Sequence, residues 1–240
     1  EQGIRPVVSV VPEGEAGRLF LRYPVVRLIN ERPWKDYIYR REDLAEFAGR
    51  HYSGQRNHIN KFRKLYPDAE YVPLTAADEP LLERFWQDYG AEFSKESAIA
   101  QNELRLAKEM LRHLAGDWFM AGGLLHEGRL VAISMGEQCG STMQVHIEKA
   151  LYSYPGAYPT MVQEFARHCD DSVLWMNRED DARDKGLRTS KMQYLPAALG
   201  GKLCFEVGSE LDRLHEIPTL HSDRLTLDAL TEKDKLPYKA

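Results

Sequence analysis

The sequence VLWMNREDDARDKGLRTSKMQY, residues 173–194, contains the pattern that decides the fold. Its first four residues are apolar and typical of a buried strand, which must end where the charged residues after Asn177 begin. Further on, Leu187, Lys191 and Tyr194 recur at helical spacing. The stretch therefore predicts a strand, a polar turn and the start of a helix, the order from which α/β sheets are built.

The charged turn in this stretch is either a binding site or a solvated surface. Ligands collect beyond the carboxyl ends of strands in open α/β sheets, and helix N-termini attract anions. The candidate ligand-binding residues are Asn177, Arg178 and Glu179 after the strand, and Arg188 and Lys191 on the helix. Carboxylates could hold an ammonium group, and bases could hold phosphate or carboxylate. The alternative is a salt-bridged surface, which is common for charged connections.

The residues ahead of this stretch extend the α/β pattern. Two strand-like runs, Phe119–Leu125 and Leu130–Gln138, flank a Glu-Gly pair and predict a β-hairpin. After a glycine-containing turn at 153–158, Thr160 and Gln163 match a capping box and predict the start of a helix. We therefore expect an α/β (α+β) fold, with a mixed sheet flanked by helices.

The segment TMQVHIEKA, residues 142–150, alternates apolar and polar residues as a strand does. Its three apolar side chains should face one way, with His146 and Glu148 on the other face and Lys149 at the strand's end. A histidine and a glutamate on one face could supply a proton acceptor and its orienting partner. They could equally lie on the exposed face of an antiparallel strand.

Shorter elements are predicted elsewhere along the chain from apolar spacing and turn residues. We expect strands at Val7–Val11, Arg18–Leu21, Trp34–Tyr39 and Tyr71–Leu74, a loop at Pro12–Gly17, helices at Asp43–His51 and from Ser53 to Pro67, a helix capped by Asp78 and a helix at Glu96–His113. Ala115–Asp117 is the best internal boundary.

A basic segment lies in the first half of the chain. Residues 39–64 carry seven bases and three acids, a net charge of +4 in a chain whose total is −5. Within it, Arg56, Asn60 and Lys64 form a polar helical stripe flanked by Asn57 and His58. Such a local patch on an acidic protein suits an anionic ligand or an RNA end better than duplex binding, although it could be a solvated helix face.

The composition is that of an ordinary globular protein. The chain has 240 residues, of which 43% are hydrophobic and 29% charged. Its apolar runs are too short to span a bilayer, so we expect a cytoplasmic protein. Three widely spaced cysteines argue against a disulfide framework, and no zinc-type pair, HExxH, GxSxG or Walker motif occurs. We therefore expect no metal site.

Four stretches carry a resemblance to a known family: Asp36–Phe62, Val145–Ala150, Pro155–Tyr158 and Asn177–Lys191. In this order they resemble the soluble relatives of the phosphatidylglycerol lysyltransferase C-terminal domain. The resemblance implies tandem lobes of the acetyltransferase-like (GNAT) fold, with an incomplete first lobe at residues 1–115 and a second at 116–216. Residues 217–240 resemble the opening of a separate ribosomal-protein-type N-acetyltransferase domain.

This resemblance also implies an activity and a set of site residues. Characterised members of the family move an aminoacyl group from charged tRNA to a lipid amine or hydroxyl. Carried over to matching positions, the family pattern selects Glu148, His146 and Lys149 as catalytic, Tyr158, Asn177, Arg178, Glu179, Arg188 and Lys191 as substrate-binding, and Arg56, Asn57, His58 and Lys61 as anion- or tRNA-binding.

We therefore expect an acyl- or aminoacyltransferase that needs no bound cofactor. Its donor would be aminoacyl-tRNA or coenzyme A, and its acceptor a small molecule or a lipid headgroup. One alternative is an acyl-coenzyme A-dependent N-acetyltransferase, although a clear Q/RxxGxG/A loop is lacking. Another is a non-catalytic module that binds an anionic or amino-acid ligand.

Overall fold

The computed structural model describes residues 6–29, 31–92, 105–110, 112, 118–208, 220–221 and 226–227. In chain order the elements are β1 (Val7–Pro12), α1 (Glu13–Arg22), β2 (Val25–Ile29), β3 (Asp36–Arg40), α2 (Arg41–Glu46), α3 (Ser53–Leu65), β4 (Glu70–Pro73), α4 (Glu79–Glu92), β5 (Phe119–His126), β6 (Arg129–Cys139), β7 (Thr142–Ala150), α5 (Ala157–His168), β8 (Trp175–Asn177), α6 (Lys185–Gln193), β9 (Ala198–Gly200), β10 (Lys202–Val207), β11 (Leu220–His221) and β12 (Thr226–Leu227). Two compact units result, residues 36–199 and residues 1–35 with 200–240.

The larger unit is built on a seven-stranded sheet in the order β4-β5-β6-β7-β8-β3-β9. Strands β4 to β7 pair antiparallel, β8 joins β7 in parallel after the crossover through α5, and β3 pairs antiparallel with β8. Helices α2, α3 and α5 pack in one hydrophobic core, and α4 packs in another. The predicted α/β class, a mixed sheet flanked by helices, is confirmed.

The quoted stretch 173–194 has the predicted order of strand, turn and helix. The strand is β8, which begins at Trp175, and the helix is α6, whose N-cap residue Asp184 accepts a hydrogen bond from the Leu187 N–H at 2.7 Å. The hairpin of β5 and β6 is also confirmed. These elements were predictable because the spacing of apolar residues along the chain indicates a strand or a helix.

Strand β7 changes face partway along its length. The pairing with β6 shifts register between Val145 and Ile147, which lie opposite consecutive β6 residues, so His146 is the extra residue of a β-bulge. Val145 consequently packs with α5, whereas Ile147 packs with α4. The predicted uninterrupted alternation is wrong because the bulge reverses it, and His146 and Glu148 no longer share one face.

The start of α5 also differs from the prediction. The helix begins at Ala157, so Thr160 lies inside it and its hydroxyl donates to the Gly156 carbonyl at 2.7 Å instead of forming a capping box. Gly156 has φ 91°, and a Cβ there would lie 2.2 Å from the His58 carbonyl oxygen. Because this glycine packs closely on α3, α5 begins about one turn before the predicted start at Thr160.

The smaller unit contains an antiparallel sheet in the order β1-β10-β2, with α1 packed on it. The predicted loop at Pro12–Gly17 and strand at Arg18–Leu21 are wrong, because residues 13–22 form α1. Helical spacing brings Ala16, Leu19 and Phe20 onto the Phe205 side of the sheet, and this burial outweighs the two glycines.

The predicted domain boundaries are only partly covered by the described residues. The boundary at 115–117 lies outside them, and of the helix predicted at 96–113 they include 105–110 and 112, which are helical. In the segment 217–240, β11 and β12 pair with each other. The division into tandem lobes and an appended domain stays a prediction.

Candidate functional site

The candidate site lies where β7 and β8 separate. Strand β8 pairs with β7 over Thr142–Gln144, and no strand in the described part of the chain continues this side of β7. A cavity of about 590 Å³ occupies the opening and is lined by residues 148–152, by the turn 154–156 and by the first turns of α6. Small-molecule sites have volumes of roughly 300–1,000 Å³, so the cavity is of that class.

Glu148 and Arg178 form a buried ion pair in the wall of this cavity. The Arg178 Nε donates to Glu148 Oε2 at 3.0 Å, its Nη2 contacts the same oxygen, and the Tyr158 hydroxyl donates to it at 2.8 Å. The Arg178 side chain is 3% exposed, and the Glu148 side chain is 9% exposed. Among the described residues no donor contacts Oε1, and Glu148 lines the cavity. One carboxylate oxygen is therefore held, and the other is available to a ligand.

Aromatic rings surround the Arg178 guanidinium. Its Cζ lies 4.5 Å from the ring centroid of Tyr194, 5.3 Å from that of Tyr39 and 5.8 Å from that of Tyr158. Burial raises the pKa of the Tyr158 and Tyr194 hydroxyls. These hydroxyls therefore remain neutral, and their rings stabilise the cation by cation–π contacts.

Arg178 is buried because strand pairing continues beyond β8. Its N–H donates to the Tyr37 carbonyl, and the Tyr37 N–H donates to the Glu179 carbonyl, both at 3.0 Å. Arg178 was predicted to bind a ligand, but its side chain is 3% exposed and does not line the cavity. The neighbouring Asn177 is also buried, where its amide donates to Asp36 at 3.0 Å and its Oδ1 accepts the Glu179 N–H at 2.9 Å.

His146 belongs to a separate polar group. Its Nδ1 lies 2.8 Å from Glu179 Oε1, and its Nε2 lies 3.4 Å from Glu137 Oε1. The hydrogen bond with Glu179 raises the pKa of His146, although burial opposes this effect. His146 does not line the described cavity. The structure therefore does not bring it together with Glu148.

A second carboxylate cluster holds the turn that follows Arg178. Asp181 is fully buried and accepts from the Tyr37 hydroxyl at 2.8 Å and from Arg188 Nε at 2.8 Å. These hydrogen bonds lower the pKa of Asp181 to about 2, and the bond from Arg188 has the largest effect. The Asp181 cluster was missed from the sequence because Tyr37 lies 144 residues away in the chain.

Lys191 supports the same turn from α6. Its ammonium donates to the carbonyls of Arg178, Glu179 and Asp180, and burial lowers its pKa to about 8. Both cations that were predicted to face an anion, Arg188 and Lys191, thus have protein partners. Their role in binding a ligand stays a prediction.

The predicted anion-binding residues of α3 have different environments. Arg56 donates to the carbonyls of Phe47 and Gly49, where it holds the turn after α2. Asn57, His58 and Lys61 are exposed. His58 also lines a second cavity, of about 470 Å³, which shares Gly156 and Ser190 with the first.

Lys149 and Tyr158 complete the predicted residues that line the first cavity with Glu148. The Lys149 ammonium lies 5.7 Å from the ring centroid of Tyr89 on α4. The arrangement offers a carboxylate for a cationic or hydroxyl group, with aromatic side chains around it.

Comparisons with known proteins identify a family and a shared fold. The profile of the family described as phosphatidylglycerol lysyltransferase, C-terminal, matches residues 1–204. A crystal structure of a conserved protein of unknown function from Bacteroides thetaiotaomicron is 31% identical, with a TM-score of 0.74 over 85% of this chain and 70% of that one.

Two further proteins are similar to this chain, one in fold and one in sequence. The C-terminal domain of a putative lysylphosphatidylglycerol synthetase from Agrobacterium fabrum is 9% identical but has a TM-score of 0.62, covering 88% of this chain and 70% of that one. An uncharacterised protein of Mycoplasmoides gallisepticum is 23% identical over 174 residues, 71% of this chain. The match spans 55% of that relative's length. Among the described helices, none has the length and apolar character needed to cross a membrane.

Proposed function

Because the chain belongs to the phosphatidylglycerol lysyltransferase C-terminal family, we propose that it moves an activated acyl or aminoacyl group to an amine or hydroxyl acceptor. The family and its fold support an acyltransferase of this kind. The identities of donor and acceptor, and turnover itself, belong to the proposal. The acceptor would bind in the 590 Å³ cavity, within reach of Glu148.

The observation that carries the proposal is the orientation of Glu148. Arg178 and Tyr158 hold its Oε2, so Oε1 has a defined position in the cavity wall. In acyl transfer the acceptor nitrogen or oxygen forms a bond to the acyl carbonyl carbon, the bond to the leaving group breaks, and the acceptor loses a proton. Glu148 Oε1 would accept the hydrogen bond of the acceptor and then its proton.

The edge of β7 that lines the cavity supports the other half of the reaction. An acyl carbonyl becomes negatively charged as the acceptor attacks, and it needs hydrogen-bond donors in a fixed position. Backbone N–H groups of a strand edge can supply such donors without reorganisation. The cavity is lined by three consecutive residues of this edge, Glu148, Lys149 and Ala150.

The donor in this proposal is aminoacyl-tRNA, and acyl-coenzyme A is the alternative. Exposed Asn57, His58 and Lys61 lie on the basic helix α3, and His58 borders the second cavity. A polyanionic donor could bind along this surface, with its acyl group reaching the shared boundary at Gly156 and Ser190. The donor's leaving group would be the terminal tRNA hydroxyl or, for the alternative, the coenzyme A thiol.

The test of the proposal replaces Glu148 and compares it with a matched buried carboxylate. Glu148→Gln should lower kcat about 10²–10⁴-fold, because the acceptor proton loses its base. Asp181→Asn is the control for the loss of a buried carboxylate charge, since Asp181 also accepts from one arginine and one tyrosine but does not line the cavity, and it should lower kcat far less than Glu148→Gln. Turnover would be followed as release of uncharged tRNA or of free thiol, with amine, hydroxyl and phosphatidylglycerol acceptors, at equal concentrations of folded protein.

The same assay separates the competing functions. Equal turnover by the wild type and Glu148→Gln would remove Glu148 from the reaction. Ligand-dependent stabilisation without turnover of either donor would instead favour a non-catalytic module. Binding of tRNA must weaken steeply between low and moderate salt, so a flat salt response would exclude tRNA as the donor.

A further inference from the structure

The first cavity has an apolar wall. Its apolar and aromatic lining includes Tyr89, Leu151, Tyr152, Tyr154, Pro155 and Leu187. Tyr152 is 76% exposed and Leu187 36% exposed, so both offer surface that a ligand could cover.

This wall is already in place before a ligand binds. Glu92 at the end of α4 accepts the backbone N–H of Tyr152 at 2.6 Å and that of Ser153 at 3.2 Å. Tyr154 packs against Tyr66 with ring centroids 4.9 Å apart. A wall anchored on two helices costs a ligand little reorganisation.

The polar groups that line the cavity can accept a hydrogen bond from a ligand. Glu148 and Asp184 are its two carboxylates, and Lys149 is its single cation among the residues that the structure describes. Arg178 balances the charge of Glu148, Asp184 accepts the N–H of Leu187 as the N-cap of α6, and the Lys149 ammonium lies over the Tyr89 ring. Glu148 Oε1 is therefore an acceptor that a ligand's ammonium group can reach, since Arg178 and Tyr158 hold Oε2.

From these observations we infer that the cavity binds a primary ammonium group carried on an aromatic or bulky apolar body. The inference rests on the proposed function and adds the class of compound that the site selects. A small hydrophilic amine would leave Tyr152 and Leu187 in water, and a deprotonated phosphate has no hydrogen to donate to Glu148 Oε1. The amphiphilic amine satisfies both ends at once.

This chemistry has two possible sources. An acceptor amine with an apolar body carries it, and so does the aminoacyl part of a donor with an apolar side chain. Phenethylamine represents the first source, and L-phenylalanine amide represents the second. The position of the ammonium relative to the ring and carbonyl decides which of the two fits better.

The experiment measures the affinity of wild-type protein for four small compounds by calorimetry. Phenethylamine or L-phenylalanine amide should bind about tenfold or more tightly than ethanolamine, which lacks the ring, and than 2-phenylethanol, which lacks the charge. If ethanolamine or 2-phenylethanol binds as tightly as both aromatic amines, or if neither aromatic amine binds, the inference is wrong.

Two variants locate the binding site. Tyr152→Ser, at an exposed position, should weaken phenethylamine binding severalfold and leave ethanolamine unchanged, because only the ring contact is lost. Glu148→Gln should weaken the two aromatic amines about tenfold or more, and Asp170→Asn, at an exposed carboxylate that accepts from Ser172 and does not line the cavity, should not. Unchanged affinity in both Tyr152→Ser and Glu148→Gln would place the amines elsewhere and overturn the inference.

Binding and turnover fail separately in these tests. Tight binding of aromatic amines without any acyl transfer would leave the inference standing and remove the proposed function. Transfer that depends on Glu148 but uses only small hydrophilic acceptors and donors would support the proposed function and overturn the inference.

Discussion

Two clusters in this protein each combine a carboxylate, an arginine and a tyrosine, but in opposite ways. In the first, Arg178 is 3% exposed and Glu148, 9% exposed, faces a cavity with one oxygen held by arginine and tyrosine. In the second, Asp181 is fully buried and both of its oxygens accept hydrogen bonds, while its partner Arg188 is 35% exposed. In the first cluster the carboxylate beside the buried arginine can still contact a ligand. In the second cluster hydrogen bonds occupy both oxygens of the buried carboxylate.

The second cluster supports the first through the turn between them. Arg188 and Tyr37 hold Asp181, and Lys191 holds the carbonyls of Arg178, Glu179 and Asp180. These bonds determine where the Arg178 side chain begins. The first cluster therefore contains a group that can act on a ligand, and the second cluster keeps that group in position.

The largest expected effect is on stability after loss of each carboxylate charge. Glu148→Gln leaves Arg178 buried without a counter-charge and should lower the free energy of unfolding by about 3–5 kcal/mol. Asp181→Asn leaves Arg188 where water can reach it and should cost about 1–3 kcal/mol. Urea denaturation with unchanged m-values would measure both.

A double variant tests the reason for this difference. Glu148→Gln combined with Arg178→Met removes the uncompensated charge and should recover part of the loss. Equal costs for the two single variants would mean that burial of the arginine does not distinguish the clusters.

The next effect is the acid sensitivity of the Asp181 cluster. The pKa of Asp181 is lowered from 3.8 to about 2, first by the Arg188 hydrogen bond. A depressed carboxyl pKa contributes stability that is present above pH 3.8 and is lost as the pH falls to 2. The wild type should lose about 2 kcal/mol more than Asp181→Asn over this range. Parallel pH profiles of unfolding would contradict the assignment.

The smallest effect distinguishes the two tyrosines. Tyr158→Phe and Tyr37→Phe each remove one hydrogen bond to a carboxylate and should each cost about 1 kcal/mol of stability. Only Tyr158→Phe should also change the affinity for ammonium ligands, because it removes one of the donors that hold Glu148 Oε2. Calorimetric titration of both variants with phenethylamine would show whether the first cluster is indeed the one that meets a ligand.

Much of the fold was predictable because local spacing controls it. The hairpin, β7, β8 and α6 follow from the apolar period of their own residues. The errors at α1 and at the start of α5 have long-range causes, namely burial against Phe205 and close packing of Gly156 on His58. No pattern within either segment contains that information.

The candidate site, like the fold, was only partly predictable from the sequence. The sequence by itself determined the strand, turn and helix at 173–194 and supplied Glu148, Tyr158 and Arg178 as candidates. Only the tertiary structure decided that these three meet, that the bulge separates His146 from Glu148, and that Arg188 and Lys191 are held by Asp181 and by backbone carbonyls. The physical reason is that a helix or strand depends on neighbours in the chain, whereas the partner of a buried charge is chosen by whichever chain segment packs over it.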